Sequence, residues 1–140
     1  MHKEEIHAFG HPNILALHPT TLMFTKDSHL SKNGDCVVAV AADKALADFS
    51  PTFKEQLRNP NAKVTITIEV GGIVETVLAA GSPKLCLCHA TDVVVRKSDF
   101  ASTRTLAVCA DKASLDLSRE LVEQLKNPGQ QVKITVTVES

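Results

Sequence analysis

The sequence predicts a strand-dominated α+β fold made of two tandem β-rich repeats that each contain one helix. Three observations support this: the chain repeats itself, each half ends in an alternation of apolar and polar residues, and each half carries one helix-start signal. We expect a pseudo-two-fold relation between the halves and a mainly antiparallel sandwich or partly closed barrel. A barrel of the swapped-hairpin type is the architectural alternative.

The repeat covers nearly the whole chain. Residues from about 4–70 align with residues from about 75–139 with two short gaps, and about 24 of some 66 aligned positions are identical. Matches so numerous and so well ordered indicate a duplicated unit rather than similar composition. A unit of about 70 residues is small for a stable core. We therefore expect residues 1–140 to form a single domain in which both repeats share one core.

Each repeat is predicted to begin with strands separated by turns. The first strand runs to about Phe9 and ends at a Gly-x-Pro turn, since Pro cannot pair inside a ladder. Two further short strands follow, marked by the apolar residues Ile14, Leu17, Leu22 and Phe24. Residues 36–40 form an almost continuous apolar run, which is typical of a strand buried on both faces.

A helix and a final strand complete each repeat. Ser50 is the predicted N-cap and Pro51 the first helical residue, and Ser118 takes the same place in the second repeat. In the final strands, at 64–70 and 134–138, apolar residues alternate with Thr and Glu, so that one face packs and the other meets water. If these Thr-faced strands lay at sheet edges, they would favour a structural or assembly module.

Composition and charge exclude several classes of function. The chain has 15 basic and 16 acidic residues and a net charge of -1, which provides no attraction to phosphate backbones or anionic membranes. It contains no apolar run long enough to span a membrane, and its four cysteines are not at framework spacings. We therefore expect a reduced, soluble, cytoplasmic protein that binds neither nucleic acid nor membranes. A small molecule, a protein or a second copy of the chain is the expected partner, and no cofactor is identified.

Short motifs occur in order along the first repeat: Gly10-His11-Pro12-Asn13, His18-Pro19-Thr20-Thr21, Thr25-Lys26-Asp27, Gly34-Asp35-Cys36 and Ala42-Asp43-Lys44-Ala45. With this series the chain resembles, over nearly its whole length, an archaeal family known only as a domain of unknown function. The resemblance implies an archaeal, soluble, single-domain protein. It assigns no catalytic residue.

Polar turn residues are the candidate ligand-binding residues. They are His11, His18, Thr20, Thr21, Asp35 and His89. His18 and His89 occupy equivalent positions in the repeats, and two imidazoles facing each other across a two-fold axis could bind a metal or an anion. We favour the alternative, a half-buried histidine whose ring nitrogens bond to nearby backbone or Thr hydroxyls.

Some chemically capable residues occur in the first repeat alone. His11, Thr21, Asp35 and Cys36 are replaced in the second repeat by Ser82, Asp92, Thr103 and Arg104. The set His11, His18, Asp35 and Cys36 could ligate a zinc-like ion, or supply a Cys-His pair for nucleophilic catalysis. We favour ordinary turn residues here, with Cys36 as a small buried hydrophobe.

Two further pairs receive structural interpretations. Cys86 and Cys88 are predicted to be packing residues, and Asp43 and Asp111 are predicted to cap free N–H groups between a strand and a helix.

The leading functional hypothesis is a small protein that binds a ligand or a partner near the first-repeat loops and the seam between the repeats. A metal-dependent or thiol enzyme is the alternative.

Overall fold

The computed structural model describes residues 1–31 and 33–139, so that Lys32 and Ser140 of the predicted 1–140 domain lie outside the described residues. The strands are β1 (His2–Phe9), β2 (Thr21–Thr25), β3 (Val37–Ala39), β4 (Lys63–Val70), β5 (Ile73–Ala80), β6 (Asp92–Arg96), β7 (Thr105–Ala107) and β8 (Gln131–Glu139). The helices are α1 (Pro51–Leu57) and α2 (Arg119–Leu125), preceded by 3-10 turns at Leu46–Asp48 and Ser114–Asp116. The elements of residues 2–70, the first series, recur in the same order in residues 73–139, the second series.

The strands form two four-stranded sheets. The first sheet has the order β1-β8-β4-β5 and is antiparallel throughout. The second sheet has the order β3-β2-β6-β7; β2 and β6 are antiparallel, and the outer strands β3 and β7 pair in parallel with them. The sheets do not close into a barrel, and buried side chains from both belong to one hydrophobic cluster. The predicted strand-dominated α+β fold is confirmed, in its sandwich form.

The strand register is symmetric about the centre of each sheet. In the first sheet Ile66 pairs with Val136, and in the second Met23 pairs with Val94. Each of these residues is opposite its own equivalent in the other series, so an approximate two-fold axis passes through both sheets. All three ladders of the first sheet join a strand of the first series to a strand of the second.

The final strand of each series follows the predicted alternation. In β4 and β8 every second residue is buried, and the intervening Thr and charged residues are at least partly exposed. These two strands occupy the centre of the first sheet rather than its edges. The condition that would have favoured an assembly module is therefore not met.

The helix starts follow the prediction. Ser50 and Ser118 are the N-caps, and their hydroxyls accept from the N–H groups of Phe53 and Leu121, each at 3.2 Å. Such caps are each worth about 1 kcal/mol. The inward-facing residues predicted for α1, Phe53 and Leu57, are buried.

The strand predicted around Ile14 and Leu17 does not form. Ile14 is fully buried, but Leu17 is 48% exposed, and Ala16 between them has a φ of 51°. A residue in this left-handed region turns the backbone away from the extended path. The N–H of Leu17 consequently bonds to the carbonyl of Asp35, 3.0 Å away, rather than to a neighbouring strand.

The role predicted for Asp43 and Asp111 also needs correction. Asp43 Oδ1 accepts from the N–H of His7 at 2.9 Å, and Asp111 Oδ1 accepts from the N–H of Leu78 at 2.9 Å. Both aspartates therefore satisfy the free edge of an outer strand, β1 or β5, and not the helix. Edge strands present unpaired N–H groups that need such covering.

No helix in the described ranges, 1–31 and 33–139, is both long enough and apolar enough to cross a membrane. This agrees with the absence of long apolar runs in the sequence.

Replacing Gly10 with Ala should destabilise the protein. A Cβ at Gly10 would overlap the backbone carbonyl oxygens of Leu125 and Asn127, which cannot move without displacing the end of α2. We expect the free energy of unfolding, measured by urea titration, to fall by about 2 to 3 kcal/mol.

Gly129→Ala is the matched control. The nearest atom to a Cβ there is Asn127 Oδ1 at 3.6 Å, an ordinary contact. Its effect should stay within about 0.5 kcal/mol. Equal losses in both variants would contradict the close approach at Gly10.

Candidate functional site

The equivalent histidines each bind the turn that follows them. His18 Nδ1 accepts from the N–H groups of Thr20 and Thr21, at 3.2 and 3.1 Å. His89 Nδ1 accepts in the same way from Thr91 and Asp92, at 3.3 and 2.9 Å. Both imidazoles therefore use one ring nitrogen to shape the entry to a strand, β2 or β6.

The two imidazoles lie at opposite ends of one ladder. Thr21, next to the His18 turn, pairs with Arg96, whereas Thr25 at the other end of β2 pairs with Asp92, next to the His89 turn. Thr21 and Thr25 are four steps apart along the strand, about 13 Å at roughly 3.3 Å per residue. The antiparallel pairing thus places the two turns apart rather than facing each other.

The remaining predicted residues lie in separate turns. His11 Nδ1 accepts from Asn13 N–H at 3.0 Å, and the N–H of His11 bonds to Leu125 at the end of α2. Asp35 accepts through its backbone carbonyl, from the N–H groups of Leu17 and His18. Within residues 1–31 and 33–139, no group of three or more His, Cys, Asp or Glu side chains is placed to hold a metal ion.

Most polar residues shared by the two series hold the scaffold together. Glu4 contacts Lys44 Nζ at 2.9 Å, and its equivalent Glu75 contacts Lys112 Nζ at 2.8 Å. Each glutamate also accepts from the N–H of an N-cap serine, at 2.9 and 2.7 Å. These bonds tie each outer strand of the first sheet to the start of a helix.

A second shared pair closes the 3-10 turns. Lys26 lies 2.6 Å from Asp48 and Lys97 lies 2.7 Å from Asp116, while each carboxylate accepts a backbone N–H at the start of its turn. The lysine hydrogen bond, followed by the backbone bond, lowers the pKa of Asp48 and of Asp116 below the usual value.

The unshared polar residues gather on one face of the second sheet. We call Arg96, Arg104, Asp92 and Cys36 the guanidinium cluster. It lies on the face of β2 and β6 opposite to the buried Leu22, beside the ladder that joins the two series. Cys36 O accepts from Met23 N–H at 2.9 Å and Arg104 O accepts from Val94 N–H at 2.9 Å, so Cys36 and Arg104 flank the two-fold axis from opposite sides.

Arg104 reaches across the axis with its hydrogen-bonding capacity poorly used. Its Nη2 lies 3.0 Å from Met23 Sδ, a weak acceptor, and its Nε lies 2.9 Å from Asp92 Oδ2. The Nε–carboxylate contact is an ion pair without hydrogen-bond geometry, so Arg104 has one charged partner and one weak acceptor among the described residues.

Arg96 is a half-buried cation without an ion pair. Its Nε donates to Thr105 Oγ1 at 3.1 Å and its Nη2 to Ser102 Oγ at 3.3 Å, and its guanidinium lies 5.2 Å from the centre of the Phe100 ring. No carboxylate of the described residues lies within 4.0 Å of it. Burial, and then the charge of Arg104, lower the pKa of Arg96.

The charges of both guanidinium groups act on the thiol of Cys36. Burial is the largest effect and raises the pKa of its thiol, the Asp35 carboxylate raises it further, and Arg104 and Arg96 oppose the rise. The net result is a pKa above the usual value, so that the thiol is protonated at neutral pH. A protonated thiol is a poor nucleophile.

Sequence reasoning identified one half of this site. It named the replacements of Thr21 by Asp92 and of Cys36 by Arg104 but weighed the first-repeat residues alone. It did not single out Arg96, whose equivalent in the first series is Thr25. Charge appearing in one repeat only was the signal that could have revealed both arginines.

Cys86 and Cys88 are not packing residues. They are joined in a disulfide, with Cα atoms 5.3 Å apart, whereas the expectation was four reduced cysteines. Leu85 and Leu87 take the buried positions, and Leu87 has a φ of 55°. That bend directs the two sulfurs outward and together, at a Cα separation that a disulfide requires.

Open concavities lie elsewhere, on the outer face of the first sheet. One of about 460 Å³ is lined by residues that include Thr65, Thr137 and Leu78, and one of about 610 Å³ by residues that include His7, Glu69 and Lys133. Their walls are cross-strand neighbours, among them Lys133 with Glu69 at 3.9 Å. Neither contains an unsatisfied group, and the guanidinium cluster is the better candidate site.

The fold and the cluster together define a two-sheet α+β protein with two arginines and one aspartate grouped beside the ladder that joins the two series. The sequence of residues 6–139 matches the family described as Domain of unknown function (DUF371), and the chain belongs to this family. An uncharacterized protein of Methanocaldococcus jannaschii is 46% identical over 121 residues, which cover 86% of this chain and 89% of that protein. The resemblance to a family of unknown function with an archaeal member is confirmed.

Acid should destabilise the protein in part by protonating Asp48 and Asp116, which hold the 3-10 turns. The double variant Asp48→Asn/Asp116→Asn should therefore lose less stability in acid than the natural protein. A carboxyl whose pKa is lowered on folding stabilises the protein above its unfolded pKa of about 3.9, and that stability is lost as the pH falls through the lower folded value. The double variant should therefore be less stable than the natural protein at pH 7, with a difference that shrinks towards pH 2.5. Urea unfolding at both pH values measures this.

Asp99→Asn, at an exposed loop position, is the control, and it should leave the stability difference between the two pH values unchanged. A double variant with the same acid sensitivity as the natural protein would show that the two lysine contacts contribute nothing.

Proposed function

We propose that this chain binds a small molecule carrying an anionic oxygen group, a phosphate or a carboxylate, at the guanidinium cluster. We also propose that the chain is a single domain made of two internal repeats and that it acts in the cytoplasm. The site lies at the seam between the repeats. The observation that carries it is a pair of interacting guanidinium groups, Arg96 and Arg104, with one carboxylate contact between them, that of Asp92 with Arg104.

The first argument is hydrogen-bonding chemistry. Arginine presents planar donors that match phosphate and carboxylate oxygens, and such charge-assisted bonds are stronger than bonds to neutral groups. Here the donors of Arg96 meet hydroxyls, and Arg104 Nη2 meets a thioether. An oxyanion would give both side chains a charged acceptor beyond Asp92, which contacts Arg104 alone.

The second argument is electrostatic. The two guanidinium charges repel each other, and one carboxylate, Asp92, is in direct contact with Arg104. Asp92 is itself engaged, because its Oδ1 accepts from Thr25 Oγ1 at 2.9 Å. A bound anion would reduce the repulsion, which favours binding most strongly where solvent screening is weak.

The third argument comes from comparing the two series. The equivalents of Arg96 and Arg104 are Thr25 and Cys36, and the first series forms the same elements with these neutral residues. The arginines are therefore not required by the fold. A charge pair that the scaffold does not need supports a binding role.

A thiol enzyme is less well supported. Its nucleophile would be Cys36, whose raised pKa keeps the thiol protonated, and the histidines named with it in the sequence use their Nδ1 atoms in turns. The cluster contains no base in contact with the sulfur in the described residues. Ligand binding without catalysis is the function that this geometry supports best.

Inorganic phosphate is the probe for a direct test. At constant ionic strength, adjusted with chloride, phosphate should raise the melting temperature of the natural protein. It should also slow the alkylation of Cys36 by iodoacetamide at pH 8, because neutralising the guanidinium groups raises the thiol pKa further. Peptide mapping by mass spectrometry follows Cys36 separately from the other cysteines.

Arg96→Gln and Arg104→Gln should abolish both responses to phosphate, whereas Lys63→Gln, at an exposed position on the first sheet, should keep them. Responses that persist in the arginine variants, or that chloride produces equally well, would refute the site.

A further inference from the structure

The disulfide between Cys86 and Cys88 lies outside the guanidinium cluster and has no counterpart in the first series. The equivalent residues there are Leu15 and Leu17. Cys86 is half-buried and Cys88 is exposed, so Cys88 is the more accessible residue of the pair. A single residue, Leu87, separates the two cysteines.

The backbone bend that holds the two sulfurs together also occurs in a loop without a disulfide. Leu87 has a φ of 55°, and its equivalent Ala16 has a φ of 51° in a loop that contains no cysteine. Both residues are fully buried. The apolar residues two positions earlier, Ile14 and Leu85, are buried as well. Packing therefore fixes the same bend in both loops, although a left-handed conformation of a non-glycine residue costs on the order of 1 kcal/mol.

This comparison predicts what reduction does to the loop. A loop that adopts the bend without a disulfide should keep it when the disulfide is opened. The two thiols then stay side by side, ready to close again. Reversible cycling needs this property, because a loop that relaxed on reduction would have to be reassembled for each oxidation.

A positive charge contacts the backbone on the Cys86 side of the loop. Arg58, at the end of α1, donates from Nε to the carbonyl of Leu85 at 2.9 Å and from Nη2 to the carbonyl of Cys86 at 2.7 Å. Its equivalent in the second series, Lys126, pairs with Glu123 instead. A nearby cation stabilises a thiolate, which makes Cys86 the better leaving group.

We propose that Cys86 and Cys88 are a reversible redox pair that exchanges with thiols. The thiolate of a small thiol attacks the exposed Cys88 Sγ, the Cys86–Cys88 bond breaks, and the electron pair leaves on Cys86 Sγ. A second thiol attacks the sulfur of the first and releases Cys88 as a thiolate. Two thiols become one external disulfide, and the protein disulfide gains two electrons and, at lower pH, two protons. The reverse sequence oxidises the pair.

Glutathione is the probe for the exchange. The full chain is equilibrated in buffers of varied reduced-to-oxidised glutathione ratio, quenched, alkylated and mapped by mass spectrometry. The peptide containing residues 86 and 88 should change by two alkylated thiols across the series and return when the ratio is reversed, while the melting temperature shifts by only a few degrees. Two free thiols in protein purified under air, or unfolding on reduction, would overturn the proposal.

Trapping the first intermediate tests the order of the two sulfurs. Brief treatment of the natural protein with reduced glutathione, followed by an acid quench and mass mapping, should give glutathione bound to Cys88 rather than to Cys86. Glutathione found mainly on Cys86 would overturn the assignment of the attacked sulfur.

The contribution of Arg58 has a matched control in its equivalent. Arg58→Gln should slow reduction of the disulfide several-fold at pH 7, and Lys126→Gln should not. If Arg58→Gln lowers the melting temperature, the second measurement is the pH dependence of Cys86 alkylation in Cys88→Ser. Arg58→Gln should shift that profile to higher pH, and an unshifted profile would exclude the guanidinium from the exchange.

Discussion

The pairing of strands between the two series is the constraint on which the rest of the structure depends. In the first sheet β1 pairs with β8, β8 with β4, and β4 with β5, so every ladder joins one series to the other. A single series would have no complete sheet there and would expose the buried faces of β1 and β4. Burying each large apolar side chain contributes about 1.5 to 3 kcal/mol. That stabilisation is available only when both series are present.

The same constraint explains why many polar residues occur in both series. Each outer strand of the first sheet has to be closed at its free edge, and each helix has to be capped. Asp43 and Glu4 serve these needs on one side, and Asp111 and Glu75 on the other. Because the needs recur under the two-fold relation, the residues recur as well. Repetition of a polar residue in this chain is therefore an indication of a structural role.

Sequence reasoning predicted the elements with strong local signals and missed those set by distant contacts. The Ser caps of the helices and the alternation of residues 64–70 are local, and the structure contains both. The bend at Ala16 is not signalled by its residue type, since alanine rarely has positive φ. Strand order depends on pairings between residues far apart in sequence, which a local pattern does not determine.

The candidate site was likewise predicted from the sequence only in part. The comparison of repeats pointed to Asp35 and Cys36 and to the seam, and Cys36 lies beside the two arginines. The sequence could not show whether the first-series residue or its replacement in the second series belongs to the candidate site. The side chains meet only once β2 and β6 are paired. Cys86 and Cys88 looked like packing residues, because the sequence does not show that Leu85 and Leu87 turn inward.

The two-fold axis also explains why the charged site occurs in one series only. Equivalent positions meet at the axis, where Met23 is opposite Val94. Arginine at Thr25 and Cys36 as well as at residues 96 and 104 would crowd four guanidinium groups onto one face, and like charges at short range in a half-buried setting repel strongly. Thr25 instead donates its hydroxyl to Asp92, and the neutral Cys36 faces Arg104 across the sheet. Neutral residues in one series thus leave the candidate site with two guanidinium groups rather than four, which limits the repulsion among them.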